Sequence, residues 1–428
     1  MAGKGRQRPA VPAEVRAEDL FSAALGLEAP WRVTGVSFEG EPRRLDIQLA
    51  FATGAHFACP ECGAQGLGVY DTADRTWRHL DFFQHQCHLH TRLPRVQCAA
   101  CGVRTVSVPW ARPGSGFTLL FEAMTLVLGK EMPMQALRRA VGEWDTRLWR
   151  VIQHHTTEAR RREDHSSVHR VGVDETAARR GQHYVTTFVD LDRAKVLFAT
   201  PGRDSSTLER FAEDLRAHGG DPAQITAMTM DMSAAFISGA EKHFPGAELT
   251  FDKFHVMQAA GAAVDEVRRQ EQRSRPELKG TRYIWLRSDG TLTAGQRDSL
   301  ALLKRAHLKT ARAHALREAL SWFWDAPPET AVPYLTWWYN WAIRSRLRPM
   351  VEMAGTVKRH WQGILNYIRS RSTNAVLEGV NSLVQAAKSR ARGYRNVHRF
   401  ISMVYLLAGK LEVRLPHWGA APAFAHTK

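Results

Sequence analysis

The chain has 428 residues, 44% of them hydrophobic, more than a single core absorbs, so two to four domains are expected. Its 59 Lys and Arg outnumber 43 Asp and Glu, and the resulting formal charge of +16 favours a polyanionic partner. Apolar runs such as 403–409 are too short to cross a bilayer, and Met1 to Arg16 lacks the apolar core of a secretory signal; a cytoplasmic protein with no membrane partner is expected.

Residues 1–30 read as a flexible basic tail. A β-rich region follows over 31–110, opened by short alternating runs at Trp31–Val36 and Leu45–Leu49. Within it, Cys59-Pro-Glu-Cys62-Gly63 and Cys98-Ala-Ala-Cys101-Gly102 form two matched knuckles with 35 residues between Cys62 and Cys98. Four thiolates at this spacing suit tetrahedral coordination of one structural zinc ion, with each Gly permitting the tight turn behind its pair. The gap requires an inserted β-hairpin, for which 76–93 has room. A redox role for one CxxC is the alternative, and the duplication weighs against it. Cys87 lies among His85, His88 and His90. Alternation along 83–93, with one buried and one exposed strand face, explains these residues more simply than a second metal site does.

A Pro/Gly-rich joint at 109–116 leads into a helical region, 116–165. Here Met134–Val141, the connection at 142–146 and Arg147–Ala159 suggest a helix-turn-helix, with a plain helical hairpin as the alternative. Arg147, Arg150 and His154 would then face DNA. From 168 the order strand, strand, strand, helix, strand, helix, strand is that of an RNase H-like α/β layer, with its first part at 168–262. A long helical stretch rich in Arg and Trp follows to about 369. The core is completed over 369–412, where the helix 374–389 belongs, and 413–428 is a tail. No 20 to 50-residue repeat is present, which excludes a solenoid. The fold class is therefore multidomain α/β.

Val171-Gly-Val-Asp174-Glu175 and Met228-Thr-Met-Asp231-Met-Ser233 each place an acid at the end of a short buried strand. One such acid is explained as a helix cap, and Asp231 is positioned to be one. Two on neighbouring strands, with Glu378 on a later helix, form a constellation suited to two-metal phosphodiester chemistry, in which carboxylates hold both ions. Glu378 shares a polar line with Asn374 and Asn381, and Lys388, Arg390, Arg392 and Arg395 follow as a cationic segment able to hold a phosphate backbone. Asp252 and His255, three apart, can share a helix face, with His255 contacting the scissile phosphate or supporting the metal shell; equally, they are a capping Asp and a packed His.

Together, the CPECG and CAACG knuckles, VGVDE, MDMS, FDKFHV and TNAVLEGVN, in this order over about 30–410, resemble bacterial insertion-sequence transposases of the DDE class with an N-terminal zinc ribbon. The resemblance implies that Asp174, Asp231 and Glu378 are the catalytic triad holding Mg2+, or Mn2+ in its place. It also implies that ribbon and helix-turn-helix bind the terminal inverted repeats, and that an all-helical insertion, 263–368, interrupts the core. Double-stranded DNA, at element ends and target, is the implied partner, in a homodimer or larger synaptic complex. The competing functions are a catalytically silent DNA-binding regulator and a nuclease without strand transfer. The insertion's Trp322, Trp324, Trp337, Trp338 and Trp341 either build a helical core or stack on unpaired bases.

Overall fold

The computed structural model describes residues 16–179, 184–287, 291–370 and 375–416. They divide into one unit of Met1–Glu131 with Arg414–Lys428, and a second of Met132–Val413.

The first unit runs α1 (Ala17–Ala24), β1 (Trp31–Glu39), β2 (Arg44–Phe51), β3 (Val69–Arg78), β4 (Gln86–Cys98), β5 (Gly102–Thr105) and α2 (Leu119–Glu131). Its sheet has the order β1-β2-β4-β3, with β5 paired to β4. Burial along β4 alternates as its period-2 sequence requires. Cys87, Leu89, Leu93 and Val96 enter a core that holds Trp31, Ile47, Trp77 and Trp110. The antiparallel β3–β4 pair is the hairpin that the spacing between the knuckles demanded. Residues 17–24 correct the expected 1–30 tail: they are helical because Phe21 is buried against the sheet, and the Ser22 hydroxyl accepts the Val33 N–H at 3.1 Å. Residues 1–15 lie outside the described residues.

The second unit starts with α3 (Met134–Val141) and α4 (Asp145–Arg160), joined through Gly142, whose φ of 65° closes α3 in the left-handed region. The expected helix pair is present, while α2 belongs to the first unit. Next come β6 (Arg170–Ala177), β7 (Tyr184–Asp190), β8 (Lys195–Pro201), α5 (Ser206–Ala217), β9 (Ala227–Met230), α6 (Ala234–His243) and β10 (Glu248–Phe251). The sheet order is β10-β9-β6-β7-β8. β6, β7 and β8 pair antiparallel, and β9 and β10 are added parallel to β6, as the RNase H-like element order predicts.

The helical insertion contains α7 (Lys253–Gln272), α8 (Arg282–Leu286), α9 (Ala294–Arg305), α10 (Lys309–Phe323), α11 (Pro328–Ile343) and α12 (Arg348–Arg359). The chain returns through α13 (Trp361–Ser370), α14 (Ala375–Arg390) and α15 (Val397–Ala408). Trp285, Trp324 and Trp338 fill the insertion's core, and the Trp338 indole donates to the Leu316 carbonyl at 2.8 Å. Trp322, Trp337 and Trp341 remain exposed along a cavity of about 780 Å³. The core role expected for the Trp-rich segments is taken by Trp324 and Trp338, whereas Trp322, Trp337 and Trp341 lie on open surface.

Both faces of the second sheet are covered. Val171, Val173 and Phe188 pack with Leu208 and Phe211 of α5. Val185 and Val189, pointing the other way, pack with Leu377 and Val380 of α14 and Phe400 of α15. The contact with α14 depends on Gly172, where a Cβ would come 2.6 Å from the Leu377 Cδ2. We predict that Gly172→Ala destabilises the second unit by about 1–3 kcal/mol through overpacking. Combined with Leu377→Ala, its effect should be non-additive by at least about 0.5 kcal/mol in denaturant titrations; full additivity would mean the two positions do not meet.

Candidate active site and metal centre

Ligand atoms of Cys59, Cys62, Cys98 and Cys101 all lie within 4.8 Å of one another. The Cys62 and Cys98 sulfurs are 3.5 Å apart. Gly63 (φ 74°) and Gly102 (φ 75°) supply the left-handed turn behind each knuckle, a conformation side chains resist. Backbone N–H groups of Cys62 and Glu61 lower the Cys59 thiol to about 7, whereas its neighbours push Cys101 up to about 12. Four thiols this close cannot all ionise unaided; a divalent cation removes the conflict, so the donor set fits structural zinc. Cys87 lies outside this group. It is buried in the sheet core, where desolvation pushes its thiol up to about 12.

Three of the candidate acids, Asp174, Asp231 and Asp252, line one edge of the second sheet. Gly172, Thr229 and Thr250 are register partners across β6, β9 and β10. Asp174, Asp231 and Asp252 each lie two residues further along, so the parallel register brings three carboxylates into line on strands roughly 4.8 Å apart. Asp174 Oδ1 accepts the Glu175 N–H at 2.7 Å, and its Oδ2 accepts from the Asn381 side chain of α14. Burial raises the Asp174 carboxyl to about 6; the charges of Asp252 and Asp231 push the same way, and His255 pulls it back. Asp231 accepts the Ser233 N–H at 3.0 Å and so shapes the turn ahead of α6, but the N-cap of that helix is Ser233, so Asp231 does not cap it. Asp252 caps α7 through the Phe254 N–H at 2.7 Å and stands 3.8 Å from the His255 Nε2. Of the two readings of this pair, the capping one is seen for Asp252.

Glu378 is exposed on the first turn of α14, three residues before Asn381 and so beside it on the helix surface. Among the described residues, the carboxylates of Asp174, Asp231 and Glu378 do not form a cluster with all ligand atoms within 4.8 Å. Asn374 lies outside the described residues. Two neighbours were missed as site residues. Asn381 was visible on the polar line with Glu378 but was not assigned. Glu175, whose carboxyl is raised by burial and by the charge of Asp231, follows Asp174 directly. His165, Asp214 and His218 make another cluster within 4.8 Å. There, both His218 ring nitrogens face the backbone carbonyls of Asp214 and Arg160, and Asp214 accepts from the Arg160 guanidinium at 2.6 Å. That network is structural.

Of the residues expected to meet DNA, Arg147 is half-buried and 2.7 Å from Glu143, whereas Arg150 is exposed on α4. Lys388 donates to the Ala177 carbonyl at 3.0 Å, tying α14 to β6. Arg390, Arg392 and Arg395 line a cleft of about 990 Å³ beside the start of α15.

Residues 171–404 match a family model described as transposase. Residues 55–101 match the zinc-finger of transposases IS204/IS1001/IS1096/IS1165, and residues 106–156 the helix-turn-helix domain of transposase family ISL3. Among curated relatives, the transposase for insertion sequence element IS1557 of Mycobacterium tuberculosis is 28% identical, over 91% of this chain and 95% of its own. The transposase for insertion sequence element IS1001 of Bordetella parapertussis is 30% identical, over 88% and 95%.

For the cysteine site, we predict about one zinc per chain by elemental analysis, lost in Cys62→Ser and on acidification as the thiolates protonate. Cys87→Ser should retain the metal. Zinc lost from Cys87→Ser but kept in Cys62→Ser would overturn the ligand assignment.

Proposed function

The chain belongs to the ISL3 family of insertion-sequence transposases, and from that premise we propose that Asp174, Asp231 and Glu378 are the carboxylates with which it cuts DNA at the ends of its element and joins the freed 3′-hydroxyl to target DNA. The ribbon and helix-turn-helix regions select the terminal inverted repeats. The working ion is Mg2+, with Mn2+ as a substitute. The expected domain boundaries, 31–110, 116–165, 168–262, 263–368 and 369–412, remain the proposed division of labour.

One observation carries most of this reading: α14 delivers Asn381 to the Asp174 carboxylate at the sheet edge where register also aligns Asp231 and Asp252. Acids on neighbouring strands line up there, and Glu378 lies on the same helix as Asn381. When bound, a pair of divalent ions supplies an activated oxygen nucleophile and stabilises the leaving oxygen. Asp174 and Asp231 would hold that pair and Glu378 would complete its shell. Asn381 is a positioning residue: by donating to Oδ2 it fixes which way the Asp174 carboxylate turns. His255, half-buried beside Asp252, offsets part of the negative charge and faces the same edge. The acids also fit their ions electrostatically, since burial and mutual repulsion already raise Asp174 before any cation arrives.

With purified full-length protein and DNA bearing the element's own ends, Asp231→Ala should bind as the unaltered chain does while losing both Mg2+-dependent cleavage and joining. Asn381→Ala should lower the cleavage rate by about 100-fold at saturating DNA, the scale of a misplaced reacting group, with little change in binding. Wild-type rates from Asp231→Ala would reduce that residue to its hydrogen bond in the turn before α6. Cleavage without joining by the unaltered chain would leave a nuclease.

A further inference from the structure

Six arginines converge away from the acids. Arg139 comes from α3, Arg179 from the segment after β6, Arg390, Arg392 and Arg395 from the end of α14 and the following turn, and Arg399 from α15. They line one cleft of about 990 Å³ whose acidic lining residue is Asp145. Asp145 lies 3.7 Å from Arg399, and the Arg399 guanidinium also sits over the Trp149 ring at 5.4 Å. Six arginines against one aspartate make the lining strongly cationic, and Arg139, Arg179, Arg390, Arg392 and Arg395 are all exposed. Guanidiniums held this close repel one another, and a polyanion relieves the repulsion while using their paired N–H groups.

The cleft is built to hold its shape. The Tyr394 N–H donates to the Ala178 carbonyl at 3.1 Å, and the Gly393 N–H to the Lys388 carbonyl at 2.9 Å. Gly393 has a φ of 86°, with Arg179 backbone and side-chain atoms within 4 Å of where its Cβ would stand. The Tyr394 ring lies between those of Trp149 and Phe400, at 6.3 and 5.2 Å. Neither the sequence of α3 nor that of the 390–395 turn shows the other's cations; only packing of α4 on α15 brings them together.

We propose that this cleft grips the sugar–phosphate backbone of the duplex whose end lies at the acids, with α14 setting the spacing between the two points. The proposal rests on the reading of Asp174, Asp231 and Glu378 as the cutting site. Arg390 is twelve residues from Glu378 on α14, about 18 Å at 1.5 Å per residue. At about 3.4 Å per nucleotide along the duplex axis, that is roughly five base pairs from the scissile bond. The cleft therefore reads position and charge, not base sequence.

The test uses full-length protein and end DNA with neutral methylphosphonates at phosphates roughly four to seven base pairs from the cleavage point, or, as control, at the same number of phosphates one helical turn further away. The proteins compared are wild type, Arg139→Gln/Arg392→Gln/Arg395→Gln, and the corresponding triple Lys variant, each checked for folding by thermal melting. Near-cleft methylphosphonates should weaken wild-type binding at least about tenfold, and distal ones much less. The Gln variant should bind unmodified DNA more weakly, with a salt-dependence slope smaller by about 2–3, and lose no further affinity to the near-cleft substitutions. The Lys variant should keep most of the slope. An unchanged slope in the folded Gln variant, or equal sensitivity of wild type to near and distal substitutions, overturns the proposal. Should the Gln variant fail to fold, the wild-type and Lys comparisons with near and distal DNA decide by the same criteria. Mg2+-dependent cleavage of unmodified ends by wild type is scored separately: its absence with the interference pattern intact counts against the cutting site and leaves backbone contact at the cleft standing.

Discussion

The second unit depends on how closely α14 lies along β6. Gly172 leaves room for Leu377, and from there polar contacts run up the interface: Asn381 to Asp174, Gln385 to Thr176 at 2.5 Å, and Lys388 to the Ala177 carbonyl at 3.0 Å. The Tyr394 N–H then reaches Ala178. Strand and helix advance in the same direction, so this set of contacts fixes translation as well as separation. One end of α14 brings Asn381 to Asp174, and the other supports the arginine cleft. A bulky side chain at position 172 would disturb both, because the helix cannot tilt away at one end without levering the other.

The acid edge shows why parallel pairing matters. In the β6–β9–β10 ladder, equal offsets from register partners place Asp174, Asp231 and Asp252 side by side, which an antiparallel neighbour would not do with the same spacing in sequence. Burial makes the grouping costly, and Asp174 bears that cost in its raised carboxyl. Hydrogen bonds from Glu175, Ser233 and Phe254 backbone N–H groups hold one oxygen of each Asp and leave the carboxylates oriented before any ligand arrives.

Features that depend on short-range spacing were readable in the sequence. The two CxxCG knuckles and the hairpin between them follow from turn chemistry and period-2 burial, and the structure has each of them; Asp231 directly follows its strand as expected, whereas Asp174, expected at a strand end, lies inside β6 because pairing with β7 carries that strand on to Ala177. The helix α1 was not readable because its eight residues carry a short pattern whose meaning comes from Phe21 meeting a distant sheet. Asn381 shared a visible helical face with Glu378, yet its partner, Asp174, is 207 residues away. The arginine cleft was half legible: 390–395 is a dense cationic run, but Arg139, Arg179 and Arg399 join it only through tertiary packing. Nor did sequence separate the tryptophans, since Trp337 and Trp338 are neighbours facing opposite environments.

The long separation between Asp231 and Glu378 raises an entropic problem that the insertion itself resolves. A flexible excursion of that length would leave α14 weakly tethered, because closure entropy grows with loop length. Here the excursion leaves and returns at one strand. It departs through α7, capped by Asp252 at the end of β10. It comes back as α13, where Gly363 lies so close to Phe251 that a Cβ would stand 2.4 Å from the ring. Asn366 donates to the Leu249 carbonyl at 2.8 Å and so occupies a polar group of the edge strand. Between these anchors, Leu316, Leu320, Phe323, Trp324, Leu335 and Trp338 continue the same core that lies under the sheet. The helices therefore act as a packed bracket, ordering the chain between the acids instead of lengthening a loop. Replacing His307, exposed in the turn between α9 and α10, should for this reason disturb the acid edge far less than a cavity at Phe251 or Trp338.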